Sequence, residues 1–321
     1  MFLNIQKDES FDSFLSRNNL FLGRCSDEAS AFVKAKNTVG NKWVYSVVEE
    51  FSGLLGGRDL SVIEMILQNH TLRPAHETFV DCRFKFSRGF AQGDENISSY
   101  IRSQGIGICI LCAEDDMDSK GFTYWRRSHQ TDANVCPLHN VRINRNCHAC
   151  GKAFSLNGLY SQFLWEGCDC GASPMAGECC LNEDWHSLQV ARFYCAVLNQ
   201  SKCFDAQEAL SKVVCRLENV ELDALGVGLF NSLDGIAHYK DSSRWWINID
   251  YYRSMAACGS FVSTNDIVRL AAVAYRECDE FVSECTSVTS FSRESPRDRL
   301  LLGGLKIQRW DYRRLSVGSL P

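Results

Sequence analysis

The chain has 321 residues, of which 45% are hydrophobic and 23% are charged, and this composition excludes low complexity and wholesale disorder. Its 17 cysteines stand beside only 5 prolines, but their density is below the roughly 8–10% that is typical of a disulfide scaffold. The N-terminus lacks a basic segment followed by an apolar run, and no apolar stretch is long enough to span a bilayer. We therefore expect no signal peptide, no membrane partner, and a reducing, cytoplasmic location in which clustered thiols usually bind metal.

The formal net charge of −5 argues against a non-specific nucleic-acid binder, because such proteins usually carry a basic surplus. The charge is nevertheless uneven along the chain. Between residues 293 and 314, seven lysines or arginines are accompanied by three acids, so we expect a basic Ser/Arg-rich tail over residues 291–321. This pattern predicts a local basic surface but not a large electrostatic footprint.

Residues 1–90 are predicted to form an N-terminal helical domain. Apolar residues at helical spacing predict helices over residues 8–22, 26–36, 43–55 and 59–70, with Asp8 or Ser10 as the cap of the first. Several short helices with brief polar connections are compatible with a DNA-binding helix-turn-helix unit. They are equally compatible with a plain small bundle.

A second helical domain is predicted over residues 179–290. Five amphipathic segments indicate stacked helix pairs, and they cover residues 185–200, 205–220, 221–233, 242–257 and 264–285. No repeat period is regular enough to indicate a solenoid. With the N-terminal helices, these segments predict a mainly α fold.

Cysteines concentrate in the region between the two helical domains, residues 91–178. Two tandem sets of four donors have the spacing of closed, structural zinc sites, so we expect two structural Zn²⁺ ions. The first predicted ligand set is Cys109, Cys112, Cys136 and His139, and the second is Cys147, Cys150, Cys168 and Cys170. The alternatives are buried free cysteines and thioredoxin-like redox chemistry, but no βαβ pattern flanks either pair.

Other residues near these sets are assigned structural roles. His148 is a weaker alternative ligand, and His129 is expected to be a hydrogen-bonding structural histidine. The acids from Glu114 to Asp116 are expected in a solvated loop. The ten remaining cysteines are expected to pack as small core hydrophobes.

No catalytic motif is present, because the chain lacks a nucleophile elbow, an H-E-x-x-H helix, a P-loop and a deaminase signature. The chain is therefore predicted to be non-enzymatic. A metal-dependent enzyme is kept as a third hypothesis, and it would require an open coordination position.

An aromatic and basic cluster, Tyr124-Trp125-Arg126-Arg127, lies between the two halves of the first set. Arginine can bind phosphate or stack on aromatic rings, so contact with nucleic acid is conceivable. The favoured interpretation places the two aromatic rings in a small core and the two arginines in solvent.

Taken together, these motifs resemble the TniQ/TnsD family of transposon target-selection proteins. The resemblance covers about the first 170 residues, and its middle stretch is the most specific part. One departure is Ile110, which stands where many relatives carry proline. The motifs are Asp8–Ser10 with Ser13–Arg17, Cys109-x-x-Cys112, Gly121-x-x-Tyr-Trp-Arg-Arg-x-His-Gln130, Cys136-Pro-x-His139 and Cys147-x-x-Cys150.

The resemblance implies a helix-turn-helix N-terminal domain, paired zinc fingers, a helical C-terminal domain and no chemistry of its own. Family members mark the insertion site and recruit an AAA+ transposition regulator (TnsC-like). The modest length and negative charge favour the members that act with an RNA-guided CRISPR effector (Cascade) and its guide RNA, and these are often homodimers. The alternative is a TnsD-like protein that binds a chromosomal attachment site directly.

Overall fold

The computed structural model describes residues 4–22, 60–72, 74–75, 78–80, 106–154, 164, 167–200, 202–219, 227–230, 238–240, 245–258, 262–286 and 291–292. The helices predicted over residues 26–36 and 43–55 lie outside these ranges, as do residues 293–321 of the predicted basic tail. The predicted helix-turn-helix unit also depends on residues outside them.

Within the described residues the fold is mainly helical, with eight α-helices and six short strands. The helices are α1 (Phe11–Leu22), α2 (Leu60–His70), α3 (Ile110–Lys120), α4 (Trp185–Leu198), α5 (Ala206–Leu217), α6 (Ile249–Cys258), α7 (Thr264–Ala274) and α8 (Cys278–Thr286). The strands are β1 (Phe79–Val80), β2 (Lys202–Asp205), β3 (Val227–Phe230), β4 (His238–Lys240), β5 (Trp245–Asn248) and β6 (Phe291–Ser292). No described helix has the length and apolar character needed to cross a membrane.

Helix α1 begins where the sequence places a cap. The hydroxyl of Ser10 accepts a hydrogen bond from the backbone N–H of Ser13 at 3.2 Å, which satisfies a donor that the first turn leaves unpaired. Phe11 and Phe14 are buried and stack with ring centroids 6.3 Å apart. Ser10 is thus the cap of this helix, and Asp8 has a different role, described below.

The C-terminal helices share one apolar core. Asp184, Asp205 and Ser263 cap α4, α5 and α7, and each side chain accepts a hydrogen bond from a backbone N–H of its helix. The apolar face of α5 is buried between α7 and α6, and it carries Val213 and Leu217. Helix α4 packs against α7 on the same core.

Two of the five predicted C-terminal helices are wrong in part. Within residues 221–233 the described stretch is strand β3, and residues 242–257 begin as strand β5 before α6 starts at Ile249. Strands β3 and β5 pair in parallel, with Val227 opposite Trp245, and β4 adds antiparallel to β5. Adjacent tryptophans followed by isoleucine favour a strand, and the glycines that flank Val227 disfavour a helix.

The long helix predicted over residues 264–285 is divided into α7 and α8. Tyr275 has extended backbone angles (φ −124°, ψ 142°) and ends α7, and its ring is fully buried. The ring packs against Phe281 of α8, with centroids 5.2 Å apart. Burial of this aromatic pair therefore outweighs continuation of the helix.

A second small sheet joins distant parts of the chain. Strand β2 pairs in parallel with β1, with Phe204 opposite Phe79, and antiparallel with β6. The first two residues of the predicted tail thus form an edge strand of this sheet.

Candidate metal centres

The first Cys-x-x-Cys pair lies at the start of a helix rather than in a free turn. Cys109 is the N-cap of α3, and its Sγ accepts a hydrogen bond from the backbone N–H of Cys112 at 3.5 Å. Ile110 occupies the first helical position, where the proline of the relatives would also fit because its missing N–H is not needed there. The positive end of the helix dipole favours the thiolate form of both cysteines.

The other half of the first set is a tight turn. The backbone N–H of Asn140 donates to the carbonyl of Cys136 at 3.0 Å, and the N–H of Cys136 donates to Val141 at 2.8 Å. Asn140 has a left-handed backbone (φ 53°), which asparagine tolerates better than most residues. The turn presents Cys136 and His139 toward the start of α3.

The four donor atoms of the first set converge within 4.8 Å of one another. The Nδ1 of His139 lies 3.5, 3.3 and 3.8 Å from the Sγ atoms of Cys109, Cys112 and Cys136, and the last two sulfurs are 3.6 Å apart. With Zn–S of about 2.3 Å and Zn–N of about 2.1 Å, neighbouring donors of a tetrahedral site lie about 3.6–3.8 Å apart. The first set therefore has dimensions that suit a tetrahedral metal ion.

The second set repeats the turn of the first. The N–H of Gly151 donates to the carbonyl of Cys147 at 2.8 Å, and the N–H of Cys147 donates to Lys152 at 2.8 Å. Gly151 has a left-handed backbone (φ 71°) at the position that corresponds to the left-handed asparagine of the first turn. The same hydrogen-bond pattern thus serves both Cys-x-x-(Cys/His) pairs.

The Cys-x-Cys pair of the second set uses a turn that is one residue shorter. The N–H of Gly171 donates to Cys168 at 2.7 Å, and Gly171 has φ 84°. The four sulfurs of this set also lie within 4.8 Å of one another, with Cys147 to Cys170 at 3.6 Å and Cys150 to Cys168 at 3.5 Å. Both predicted sets are therefore brought together in space, and each could hold a metal ion.

The sulfurs of the first set cannot all be negative without a cation. The hydrogen bonds of Cys112 to Cys109 and Cys136, together with burial, raise the pKa of Cys112 above its ordinary value. The hydrogen bonds of the same two thiols lower the pKa of Cys136, and the nearby His129 lowers it further. The cluster alone thus concentrates one negative charge on Cys136, whereas a divalent cation would stabilise thiolates on every sulfur.

A carboxylate orients the histidine of the first set. With Nδ1 directed at the sulfurs, the Nε2 of His139 lies 3.1 Å from Oδ2 of Asp115. This is the arrangement in which an outer carboxylate fixes the tautomer and orientation of a metal-ligating histidine. The expected solvated loop is wrong, because these acids lie on α3 and Asp116 is buried.

The prediction for the aromatic and basic cluster is confirmed for the rings and wrong for the arginines. Tyr124 and Trp125 are buried, and Trp125 packs against Phe154 beside the second set, with centroids 5.7 Å apart. Arg126 is mostly buried and forms an ion pair with Asp116 at 2.7 Å. The ion pair to a buried carboxylate explains why this arginine does not extend into solvent.

Arg127 is only 3% exposed and connects three parts of the chain. Its guanidinium donates to the carbonyl of Gln68 near the end of α2 at 2.7 Å and to Oδ1 of Asn199 after α4 at 2.9 Å. It also pairs with Asp8 at 3.4 Å, and Ser128 donates a short hydrogen bond to the same carboxylate. Residues 124–130, which we call the joint, therefore fasten the N-terminal segment, α2 and the C-terminal helices together.

The N-terminal segment completes this junction. The backbone N–H of Ser10 donates to Trp125 at 2.8 Å, and that of Arg127 donates to Asp8 at 2.9 Å. Glu9 is fully buried and accepts two hydrogen bonds from Arg17, at 3.0 and 2.8 Å. The N-terminal motif and the central motif of the resemblance are thus two sides of one contact.

Two histidines near the junction are buried. The Nδ1 of His70 lies 2.9 Å from the carbonyl of Glu9, and burial lowers the pKa of this histidine, with a further lowering from the charge of Arg127. His129 is buried beside Cys136, which fits a structural role. His148 is exposed and is not among the four convergent donors of the second set.

The packing role predicted for the other ten cysteines holds for only some of them. Cys203 and Cys285 are buried, and Cys195 and Cys278 are half-buried. Those that are exposed are Cys179, Cys180, Cys215 and Cys258. Cys25 and Cys82 lie outside the described residues.

An open groove runs beside the strand that connects the two sets. Its polar lining includes Asn134, Arg142, Asn146, His148 and Glu178. Apart from the acid, these groups offer donors to a ligand. The described parts of residues 106–182, which hold both sets and this groove, are called the two-cluster unit below.

Helices joined through two convergent Cys/His clusters define the protein as a mainly helical, cysteine-cluster protein. The family model that matches is TniQ, over residues 1–143, so the chain contains a TniQ domain and the resemblance to the TniQ family is confirmed. A TniQ domain implies a transposition-associated target-selection protein that acts with DNA and the transposition machinery. The match includes the first set and ends before the second, and no curated protein and no solved structure matches the chain.

Proposed function

We propose that the protein is a non-enzymatic adaptor that links an RNA-guided CRISPR effector (Cascade) to the AAA+ transposition regulator (TnsC-like). The observation that carries this proposal is the TniQ domain of residues 1–143, which is built around the joint. The net charge of −5 supports access to DNA mainly through partners rather than through a large basic surface of its own. A homodimer and a cytoplasmic location belong to the same proposal.

We further propose that two Zn²⁺ ions are structural parts of this adaptor. Four protein donors at each site leave no position for a reacting water, which is the property of a structural site. The first ion would be held by Cys109, Cys112, Cys136 and His139, and the second by Cys147, Cys150, Cys168 and Cys170. The domain organisation proposed around them is residues 1–90, 91–178, 179–290 and the tail 291–321.

The adaptor function is tested by reconstitution from purified components. The full chain, the guide-loaded effector and the regulator are mixed in pairs and then together, and size-exclusion chromatography reports which of them co-elute. The expected result is a complex of all three that does not form when the protein is omitted. Failure of the protein to co-elute with either component would overturn the proposal.

Direct recognition of an attachment site is a second candidate, and the groove of the two-cluster unit favours it. Arg142 and His148 can reach phosphate, and Asn146 can donate to phosphate or to base edges. Titration of the isolated protein with the attachment duplex and with shuffled duplex of the same length tests this candidate. Equal affinity for both at physiological salt would exclude it.

A further inference from the structure

The large apolar side chains that are exposed all lie on the two-cluster unit, as far as the described part of the chain goes. They are Met117 (39% exposed), Leu138 (71%) and Leu181 (74%). The C-terminal helices bury every large apolar side chain that the structure describes there to at least the half-buried level. Exposed apolar side chains gathered on one unit are typical of a protein-binding surface.

Hydrogen bonds and an ion pair connect the elements that carry these side chains. The contact between Asp115 and His139, at 3.1 Å, joins α3 to the turn that bears Leu138. The backbone N–H of Asn182 donates to the carbonyl of Asn140 at 3.0 Å and joins that turn to the segment that bears Leu181. The three apolar side chains therefore belong to one continuous, rigid piece of surface, which we call the acidic–apolar face.

Acids border this face. Glu114, Asp115 and Asp118 are exposed on α3, and Glu183 is exposed two residues after Leu181. Lys120 of the same helix is engaged in an ion pair with Asp116. The cation nearest in sequence to the turn is Arg142, which lines the groove. Because the border is negative, it repels a phosphate backbone and attracts a basic partner.

We propose that the acidic–apolar face docks a protein partner whose contact segment carries apolar side chains flanked by lysine or arginine. The apolar centre would supply most of the affinity, and the acids would supply orientation and rapid association. The proposal deepens the adaptor function and rests on it where the regulator is the partner. The face is distinct from the groove, which suits an anionic ligand.

Two variants of the full chain test the face. The first, Leu138→Ser with Leu181→Ser, removes apolar contact, and the second, Glu114→Lys with Asp118→Lys, reverses the border charge. The matched control is Glu277→Lys, an exposed acid of the C-terminal helical region. Each variant must retain the zinc content and thermal midpoint of the wild type, because all four positions of the two double variants are exposed.

Two probes are titrated, and affinity is measured by fluorescence anisotropy. One is the purified AAA+ regulator, and the other is a synthetic helical peptide of leucines and lysines. Both double variants are expected to bind each probe at least about tenfold more weakly, whereas the control binds as the wild type does. Weakening of peptide binding by added salt is expected for the wild type.

The outcomes separate this inference from the adaptor function. If the wild type binds the peptide at this face but not the regulator or the effector, the adaptor function fails and the face stands. If the regulator and the peptide bind all variants equally, the face is overturned while the adaptor function stands. Loss of duplex DNA binding in the leucine variant would also overturn it, because the occupant would then be nucleic acid.

Discussion

The two four-donor clusters use the same local turn but differ in what surrounds them. In the first cluster the three cysteines are buried, one pair begins helix α3, and an outer carboxylate contacts His139. In the second, Cys150 and Cys170 are exposed, and both pairs lie in turns. The first is within the TniQ match and the second is beyond it.

The difference shows how one metal-binding motif can serve two purposes. Helix α3 leads from the first cluster to Asp116, and Asp116 pairs with Arg126 of the joint. A metal ion at the first cluster would therefore fix the position of the joint and, through it, the N-terminal segment. The second cluster closes its own loops and packs on Trp125 through Phe154, so its effect is more local.

Loss of the first metal is expected to have the largest effect. Cys136→Ser should remove one zinc per chain and destabilise the protein by at least about 4 kcal/mol, because metal binding supplies folding free energy. Cys170→Ser should also remove one zinc but leave the N-terminal segment docked. Elemental analysis reports the zinc content, and hydrogen exchange over residues 4–22 reports docking.

Cys215→Ser is the matched control, since this cysteine is exposed on α5 and belongs to neither cluster. It should retain two zinc ions per chain and wild-type exchange. Faster exchange of residues 4–22 in Cys170→Ser than in Cys136→Ser would reverse the assignment of the two clusters.

Sequence reasoning found the clusters because ligand spacing is local. Cys109 to Cys112 and Cys136 to His139 are each separated by three positions, and a tetrahedral ion requires that such pairs converge. It also found most helices, whose periodicity is local, and failed where strand β3 finds its partner β5 seventeen or so residues away.

The joint could not be found in this way. Arg127 is buried because its partners, Gln68 and Asn199, are 59 and 72 positions away in the chain. Nothing within the local motif indicates which carbonyl and amide will receive the guanidinium. A cluster of arginines beside aromatic residues therefore predicted solvent exposure, although the tertiary fold provides three polar partners.

A sharper comparison comes from ion pairs near each cluster. Arg127→Ala should destabilise the protein by about 3–5 kcal/mol, because it leaves Asp8 and the carbonyl of Gln68 without a partner in a buried junction. Thermal unfolding measures the loss, and hydrogen exchange should locate it in the N-terminal segment.

The counterpart near the second cluster is Lys152, which pairs with Asp169 at 2.6 Å in an exposed position. Lys152→Ala should cost at most about 1 kcal/mol, since exposed pairs contribute little. Equal losses for the two variants would contradict the view that only the first cluster is integrated with the junction.

The outer carboxylate offers a smaller effect. Asp115→Ala should weaken zinc binding at the first cluster by about tenfold, because His139 loses the acceptor that orients its ring. Asp115 is 71% exposed, so the effect belongs at the low end of those known for outer-shell groups. Competition with a chromogenic chelator measures the affinity of each site.

Asp169→Ala is the control for the second cluster, since this carboxylate pairs with Lys152 and has no histidine ligand to orient. Its zinc affinities should equal those of the wild type. A tenfold loss in Asp169→Ala without one in Asp115→Ala would show that the histidine–carboxylate contact does not matter for metal retention.

The smallest expected effect is a pH dependence of the junction at the first cluster. Burial lowers the pKa of His70 below its ordinary value of 6.5, so the folded protein holds this histidine neutral while the unfolded chain protonates it. The unfolded state then binds more protons as pH falls below 6.5, and the stabilising contribution, fully present above that pH, is lost on acidification. The slope from this group is at most about 1.4 kcal/mol per pH unit.

His70→Gln should flatten this part of the profile, because glutamine does not titrate and can still donate to the carbonyl of Glu9. Urea midpoints of the wild type and the variant are compared at about pH 7.5 and about pH 5.5, so that acid weakening of the metal sites affects both proteins alike. His148→Gln, at the exposed turn of the second cluster, is the control and should follow the wild type. If His148→Gln flattens the profile and His70→Gln does not, acid sensitivity resides in the second cluster, and the junction is not the part of the molecule that protons disrupt.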